Sequence, residues 1–202
     1  MILFDGCSWT RGDELKDPEK CRFSTLVSDG KDHVNLSWNG KSNDGILRTT
    51  MEFCERNTVD IAIIQFTVFS RTEFRCEKTD NYFPIGVGVK KSPAKEKSEI
   101  YYEYLHNNNL HMANYHKNKF LLESYFKSKG IKYYFVNLER YRDTVKTIPS
   151  SWYNMMDKNP VVSLRSLLGD KDLFPENYCL EKRGHPNEKG HKIISDHILE
   201  FI

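Results

Sequence analysis

The sequence predicts an α/β fold: a three-layer α/β/α sandwich around a doubly wound, flavodoxin-like parallel sheet. Three observations carry that expectation. Val59–Phe66 is a continuous apolar, β-branched run, as a strand needs when helices cover both of its faces. Gly130 separates a helical pattern from the apolar run Ile131–Leu138, the helix–Gly–strand rhythm of a crossover unit. Strand and helix patterns then alternate along the chain, which favours parallel pairing.

The elements follow in order. Ile2-Leu3-Phe4, ended by Asp5-Gly6, reads as a short buried strand, and His33–Leu36 as a second. Asn43 is expected to cap a helix over Asp44–Asn57, where Ile46, Leu47, Met51, Phe53 and Cys54 recur at helical spacing. After the central strand, Ser70–Ser98 contains Pro84, Gly86, Gly88 and Pro93 and reads as an irregular surface insertion over about residues 70–98. A helix is expected over Ser98–Lys129, closed by Gly130. From Tyr141 to Glu181 the pattern is weak, with short helices expected near Ser163–Leu168. Pro186 suits the first turn of a last helix whose buried face carries Ile194, Ile198 and Phe201.

Composition bounds the function. The 202 residues are 39% hydrophobic and 29% charged, enough for one domain over 1–202 with its own core. The 30 Lys and Arg against 28 Asp and Glu leave a net charge of +2, and no basic run is interleaved with aromatics. A nucleic-acid footprint is therefore not expected. No apolar stretch approaches membrane-spanning length, and Met1–Phe4 is too short for a signal-peptide core. Five scattered cysteines without a CxxC pair speak against a zinc ribbon or thioredoxin-like site and for reduced thiols in a cytoplasmic setting.

In doubly wound sheets ligands bind outside the carboxyl ends of the strands, here just after Phe4, Leu36 and Phe66. Gly6-Cys7-Ser8-Trp9-Thr10-Arg11-Gly12 lies at the first of these places. A serine at a strand-to-helix turn presents its hydroxyl outward and its N–H to the pocket. Equally, Ser8 is a favoured helix N-cap residue. Gly184-His185-Pro186-Asn187-Glu188-Lys189-Gly190-His191 precedes the last helix, and His185 beside a rigid Pro suits a general base. A plain loop histidine reads the same way. His191 is expected to pack or lie at the surface, and the spacing to His185 does not place two ligands on one helix face. No metal and no cofactor are expected.

The remaining candidates are weaker. Arg71 and Glu73 follow the central strand; Arg71 suits an anionic or sugar substrate, with an ion pair to a nearby carboxylate the plainer reading. Tyr101, Tyr102, Tyr104 and Tyr115 suit either a carbohydrate surface or helix packing. His106, His111 and His116, five apart, are expected at the surface.

Gly6-Cys7-Ser8-x-x-x-Gly12 resembles the first sequence block of SGNH (GDSL-like) hydrolases. Asn35–Asn43, with Gly40, resembles their second block, and His185-Pro186-x-x-x-Gly190-His191 their last. The Gly-Cys-Ser-Trp-Thr variant is similar to that of small SGNH-like proteins of tailed bacteriophages. The resemblance implies Ser8 as nucleophile, His185 as general base, and the N–H groups of Ser8 and Gly40 as oxyanion donors. It implies acyl transfer from an ester, with small-molecule or carbohydrate esters, including O-acetyl sugars, as substrates. Two departures stand out. The third block, usually Gly-x-Asn-Asp, is here Gln65-Phe66-Thr67-Val68, so Thr67 or Gln65 would have to donate. The triad acid, usually three or two residues before the histidine, is replaced by Lys182 or Arg183. Glu181, a backbone carbonyl or an unsupported Ser–His dyad remain open. Hydrolysis, transfer to a sugar hydroxyl, and a non-catalytic binding module are all compatible with these motifs.

Overall fold

The computed structural model describes residues 1–86, 94–139, 161–169 and 184–202. Among the described residues, five parallel strands form the central sheet: β1 (Ile2–Asp5), β2 (His33–Asn35), β3 (Ile61–Phe66), β6 (Lys132–Asn137) and β7 (Val162–Ser163). Their order is β2-β1-β3-β6-β7. That is the flavodoxin-like order, whose switch point lies between β1 and β3. In register, Asp5 pairs with Ile64, and Phe66 with Asn137. β1 is buried throughout, as is β3 from Ala62 onward, matching their uninterrupted apolar sequence.

Helices α1 (Ser8–Arg11), α2 (Pro18–Cys21), α3 (Phe23–Ser28), α7 (Leu164–Leu167) and α8 (Glu188–Leu199) surround one core. There Phe4, Phe23, Ile63, Val136, Leu164, Ile194 and Ile198 pack together. On the other face, α4 (Asn43–Cys54) and α6 (Asn108–Lys129) bring Ile46, Leu122 and Phe126 against Leu3, Ile64, Phe66 and Phe135. None of these helices is long and apolar enough to cross a membrane.

Several expectations change. Ser42, not Asn43, caps α4: its backbone is extended and its Oγ accepts from the Gly45 N–H at 3.0 Å. Asn43 is then the first helical residue, and its amide is free for another task. The supposedly irregular insertion contains an antiparallel hairpin, β4 (Thr72–Cys76) and β5 (Asn81–Ile85), with Phe74 opposite Phe83. Pro84 is tolerated because a two-stranded ribbon has only edges. Arg48 of α4 anchors this hairpin, stacking 3.7 Å from the Tyr82 ring centroid and pairing with Glu73. The helical region expected over 98–129 is built of three pieces. α5 (Ala94–Ile100) runs into a π-helical turn (Tyr101–Leu105), and α6 restarts after the Asn107 side chain caps the Leu110 N–H. Phe201 lies beyond α8 and is exposed, stacked on Tyr134.

The histidines expected at the surface are partly in the interior. His111 and His116 are buried, and His111 packs against the Tyr101 and His106 rings of the segment leading into α6. His111 Nε2 meets the Tyr101 hydroxyl at 2.9 Å, and burial pushes its pKa down, with His106 adding to the effect. Tyr101 and Tyr115 likewise serve packing, while Tyr104 is exposed. His191 is fully buried, stacked on Phe23 and accepting the Phe23 N–H at Nδ1 (3.1 Å). Its Nε2 has no hydrogen-bond partner among the described residues.

One buried ion pair joins the elements at the carboxyl end of the sheet. The Lys41 ammonium and Asp5 carboxylate are both fully shielded from solvent. Asp5 also accepts from the Gly6 N–H (2.6 Å) and from the Thr49 and Thr50 hydroxyls (2.7 and 3.0 Å). Lys41 also donates to the Leu36 carbonyl at 3.0 Å and sits over the Trp38 ring.

Two outcomes follow. Lys41→Met leaves Asp5 charged and unpaired in the interior and should destabilise the fold by about 3–5 kcal/mol in urea unfolding. Adding Asp5→Asn to it should recover a good part of that loss. Burial, reinforced by the nearby His185, lowers the His191 pKa to about 4. The unfolded state then binds the extra proton first, so this group's contribution is intact above about pH 6.5 and lost as pH falls toward 4. On the order of 3 kcal/mol is at stake. His191→Phe should flatten the stability–pH curve across that window.

Candidate active site

The chain leaves β1 through Asp5 and Gly6 directly into α1. Gly6 is there because nothing larger fits: an added Cβ would sit 2.3 Å from Thr10 Oγ1 and 2.9 Å from Gln65 Oε1. Gln65, at the end of neighbouring β3, holds this corner. Its Oε1 accepts from the Cys7 N–H (3.1 Å), the Cys7 thiol (3.2 Å) and the Thr10 hydroxyl (3.0 Å). Its Nε2 donates to the Phe66 carbonyl. The Gln65 amide is therefore engaged in shaping the turn.

Cys7 occupies the N-cap position of α1, so Ser8 is the first helical residue and does not cap. The Ser8 side chain lies within the corner at 4% exposure, its Oγ 4.0 Å from Cys7 Sγ. The Ser8 carbonyl accepts from both the Gly12 N–H (3.1 Å) and the Asp13 N–H (3.0 Å), so the turn after α1 hangs on the serine itself. Gly12 closes the helix in the left-handed conformation (φ 85°), which a side chain would strain.

That turn forms one wall of an open cleft of about 650 Å³, lined by Arg11, Gly12, Asp13, Glu14, Leu15, Pro18, Asn39 and His185. His185 arrives from the far end of the chain, just before α8, which is anchored beneath the cleft by His191 against α3. Its Nδ1 lies 2.7 Å from Glu14 Oε2, and both side chains are mostly buried, at 15% and 18% exposure. Across the cleft, Asn39 donates to Asp13 Oδ2 at 2.7 Å. Gly40 follows it in a left-handed turn (φ 77°), with open space where a side chain would stand.

The other candidates gather at the end of β3. Asn43 bridges both ways to Thr67: Oδ1 accepts the Thr67 N–H at 2.9 Å, and Nδ2 donates to its carbonyl at 3.3 Å. The Thr67 hydroxyl accepts from Arg71 Nη1 at 2.5 Å. Among the described residues Arg71 makes no ion pair; Glu73 is held by Arg48, at 3.0 and 3.3 Å. Ser8, Gly40 and Thr67 thus all lie past the carboxyl ends of β1, β2 and β3, and the cleft joins His185 to the turn after Ser8. Glu181 lies outside the described residues, as do Lys182 and Arg183.

Glu14 is the residue that motif reading passed over. It sits in a charged turn with φ 73°, unusual for a residue with a side chain, and that conformation is not written in residue type.

No protein-family model matches the sequence, and no curated protein matches it. Solved structures do. The psychrotrophic esterase EstA from a Pseudoalteromonas species, in a structure inhibited by monoethylphosphonate, superposes with a TM-score of 0.55 at 15% identity, covering 98% of this chain and 94% of its own. A member of the lipolytic protein G-D-S-L family from Veillonella parvula gives 0.53 at 14% identity, covering 100% and 97%. At such identity the likeness is one of fold: the described residues have the SGNH-type α/β fold.

Gly6→Ala should force Thr10 and Gln65 off their present positions, costing about 1–3 kcal/mol in thermal or urea unfolding. Gly40→Ala meets no such obstruction and should cost less, limited to the strain of its positive φ.

Proposed function

We propose that this protein is a serine ester hydrolase in which Ser8 and His185 act as nucleophile and general base. The observation that carries the reading is positional. Ser8 opens the helix after β1, the turn hung on its carbonyl walls the cleft, and His185 lines that same cleft from the other end of the chain. The overall likeness to an esterase and a G-D-S-L lipolytic protein supports the same chemistry.

The steps are those of acyl transfer. Ser8 Oγ attacks the ester carbonyl carbon while His185 Nε2 takes its proton; the alkoxide then leaves with that proton, and the acyl group stays on Ser8. Water adds to the acyl-enzyme, giving a proton to His185, and the acid departs as Ser8 recovers its own. The N–H groups of Ser8 and Gly40 are the oxyanion donors of this proposal, with the Thr67 hydroxyl, braced by Arg71, beside them. The cleft wall is polar, with Arg11, Asp13 and Asn39 exposing donors and acceptors. Such a lining suits the hydroxyls of a carbohydrate better than a long acyl chain, so O-acetyl groups on sugars are the substrate class we assign.

One observation favours a second reading, a binding module without turnover: Ser8 is 4% exposed and its Oγ faces Cys7. Hydrolysis of p-nitrophenyl acetate by wild type beside Ser8→Ala separates the two. The enzyme reading expects turnover to fall by at least about 10³-fold in the folded variant. Equal rates in both proteins would remove it and leave the binding module.

A further inference from the structure

We propose that Glu14 is the positioning acid for His185, supplied from the turn that follows the nucleophile rather than from the segment that precedes the histidine. The inference rests on the Ser8–His185 reading above and deepens it. Sequence places Lys182 and Arg183 where an acid would ordinarily stand, and neither can accept from an imidazole N–H.

The geometry assigns the role to Glu14 in three ways. Its Oε2 lies 2.7 Å from Nδ1, the nitrogen that an orienting acid engages, so that Nδ1–H donates to the carboxylate and the Nε2 lone pair remains to accept a proton. The neighbouring carboxylate is committed elsewhere: Asp13 accepts from Asn39 at 2.7 Å and lies 3.6 Å from the Arg11 guanidinium. The Glu14 backbone is held at φ 73°, a conformation unfavourable for a residue with a side chain, which surrounding structure must enforce. That enforcement is visible, because the Gly12 and Asp13 N–H groups both donate to the Ser8 carbonyl. Nucleophile and orienting acid are therefore borne on one short peptide, six positions apart, and only the histidine comes from elsewhere.

Three variants and three readouts test this. Glu14→Gln should lower kcat for p-nitrophenyl acetate by about 10²–10⁴-fold, with KM changed little, because the amide can offer an N–H to Nδ1 and favour the wrong tautomer. Glu14→Gly, which suits the left-handed backbone, should show the same loss without loss of thermal stability, excluding backbone strain as the cause. Ring ¹⁵N chemical shifts of His185 should report hydrogen on Nδ1 in the wild type and on Nε2 in Glu14→Gln. Ser8→Ala serves as the reference for the underlying reading. If Ser8→Ala is inactive while Glu14→Gln keeps wild-type kcat and the wild-type tautomer, Glu14 is not the positioning acid and the serine hydrolase reading stands. If Ser8→Ala turns over like the wild type, the hydrolase reading fails. The tautomer then still decides the Glu14 assignment: an Nε2–H imidazole in the wild type overturns it.

Discussion

The buried pair of Asp5 and Lys41 is the constraint on which the carboxyl edge of the sheet depends. Its partners belong to three places: the Gly6 N–H in the turn between β1 and α1, the Leu36 carbonyl after β2, and the Thr49 and Thr50 hydroxyls of α4. Burial pulls the Lys41 pKa down, the nearby Arg48 adds to that pull, and the Asp5 carboxylate opposes it without cancelling it. Two desolvated charges rarely stabilise a fold more than a well-packed apolar pair would. What they do is allow few arrangements, since each charge must find its partner. Here that requirement aims β1 into the Gly6 corner and sets the loop carrying Asn39 and Gly40 beside it.

A second polar lock lies one strand over. Gln65 grips the Cys7–Thr10 corner, and Asn43 grips Thr67. The two amides use buried hydrogen bonds to hold backbone that belongs to no regular element. Unsatisfied, such groups would each cost about 1–3 kcal/mol.

How far all this was legible depended on the range of the signal. β1, β3 and β6 announce themselves in local apolar runs, and Gly12 and Gly130 mark helix ends by their own backbone freedom. The hairpin was harder, because β4 and β5 are short and half exposed, with Pro84 inside, and their pattern resembles a loop. The break at Asn107 hid in a continuous helical composition. The burial of His111 has no trace in periodicity, because it comes from contacts with Tyr101 and His106 in the preceding segment. Ser8 and His185 stand in recognisable local motifs. The Glu14–His185 contact has no such trace, because its partners are 171 positions apart and only folding introduces them.

That separation has a consequence for the order in which the site comes into being. Everything the first strand and its following turn contribute leaves the ribosome early, together with β2 and α4, and has neighbours to fold upon. The imidazole does not emerge until more than nine-tenths of the 202 residues have been made, and α8, which carries His191 into its seat against Phe23, follows it. Until that helix docks, the turn after Ser8 stands without the imidazole that closes its cleft, and Glu14 without the partner it meets in the folded protein.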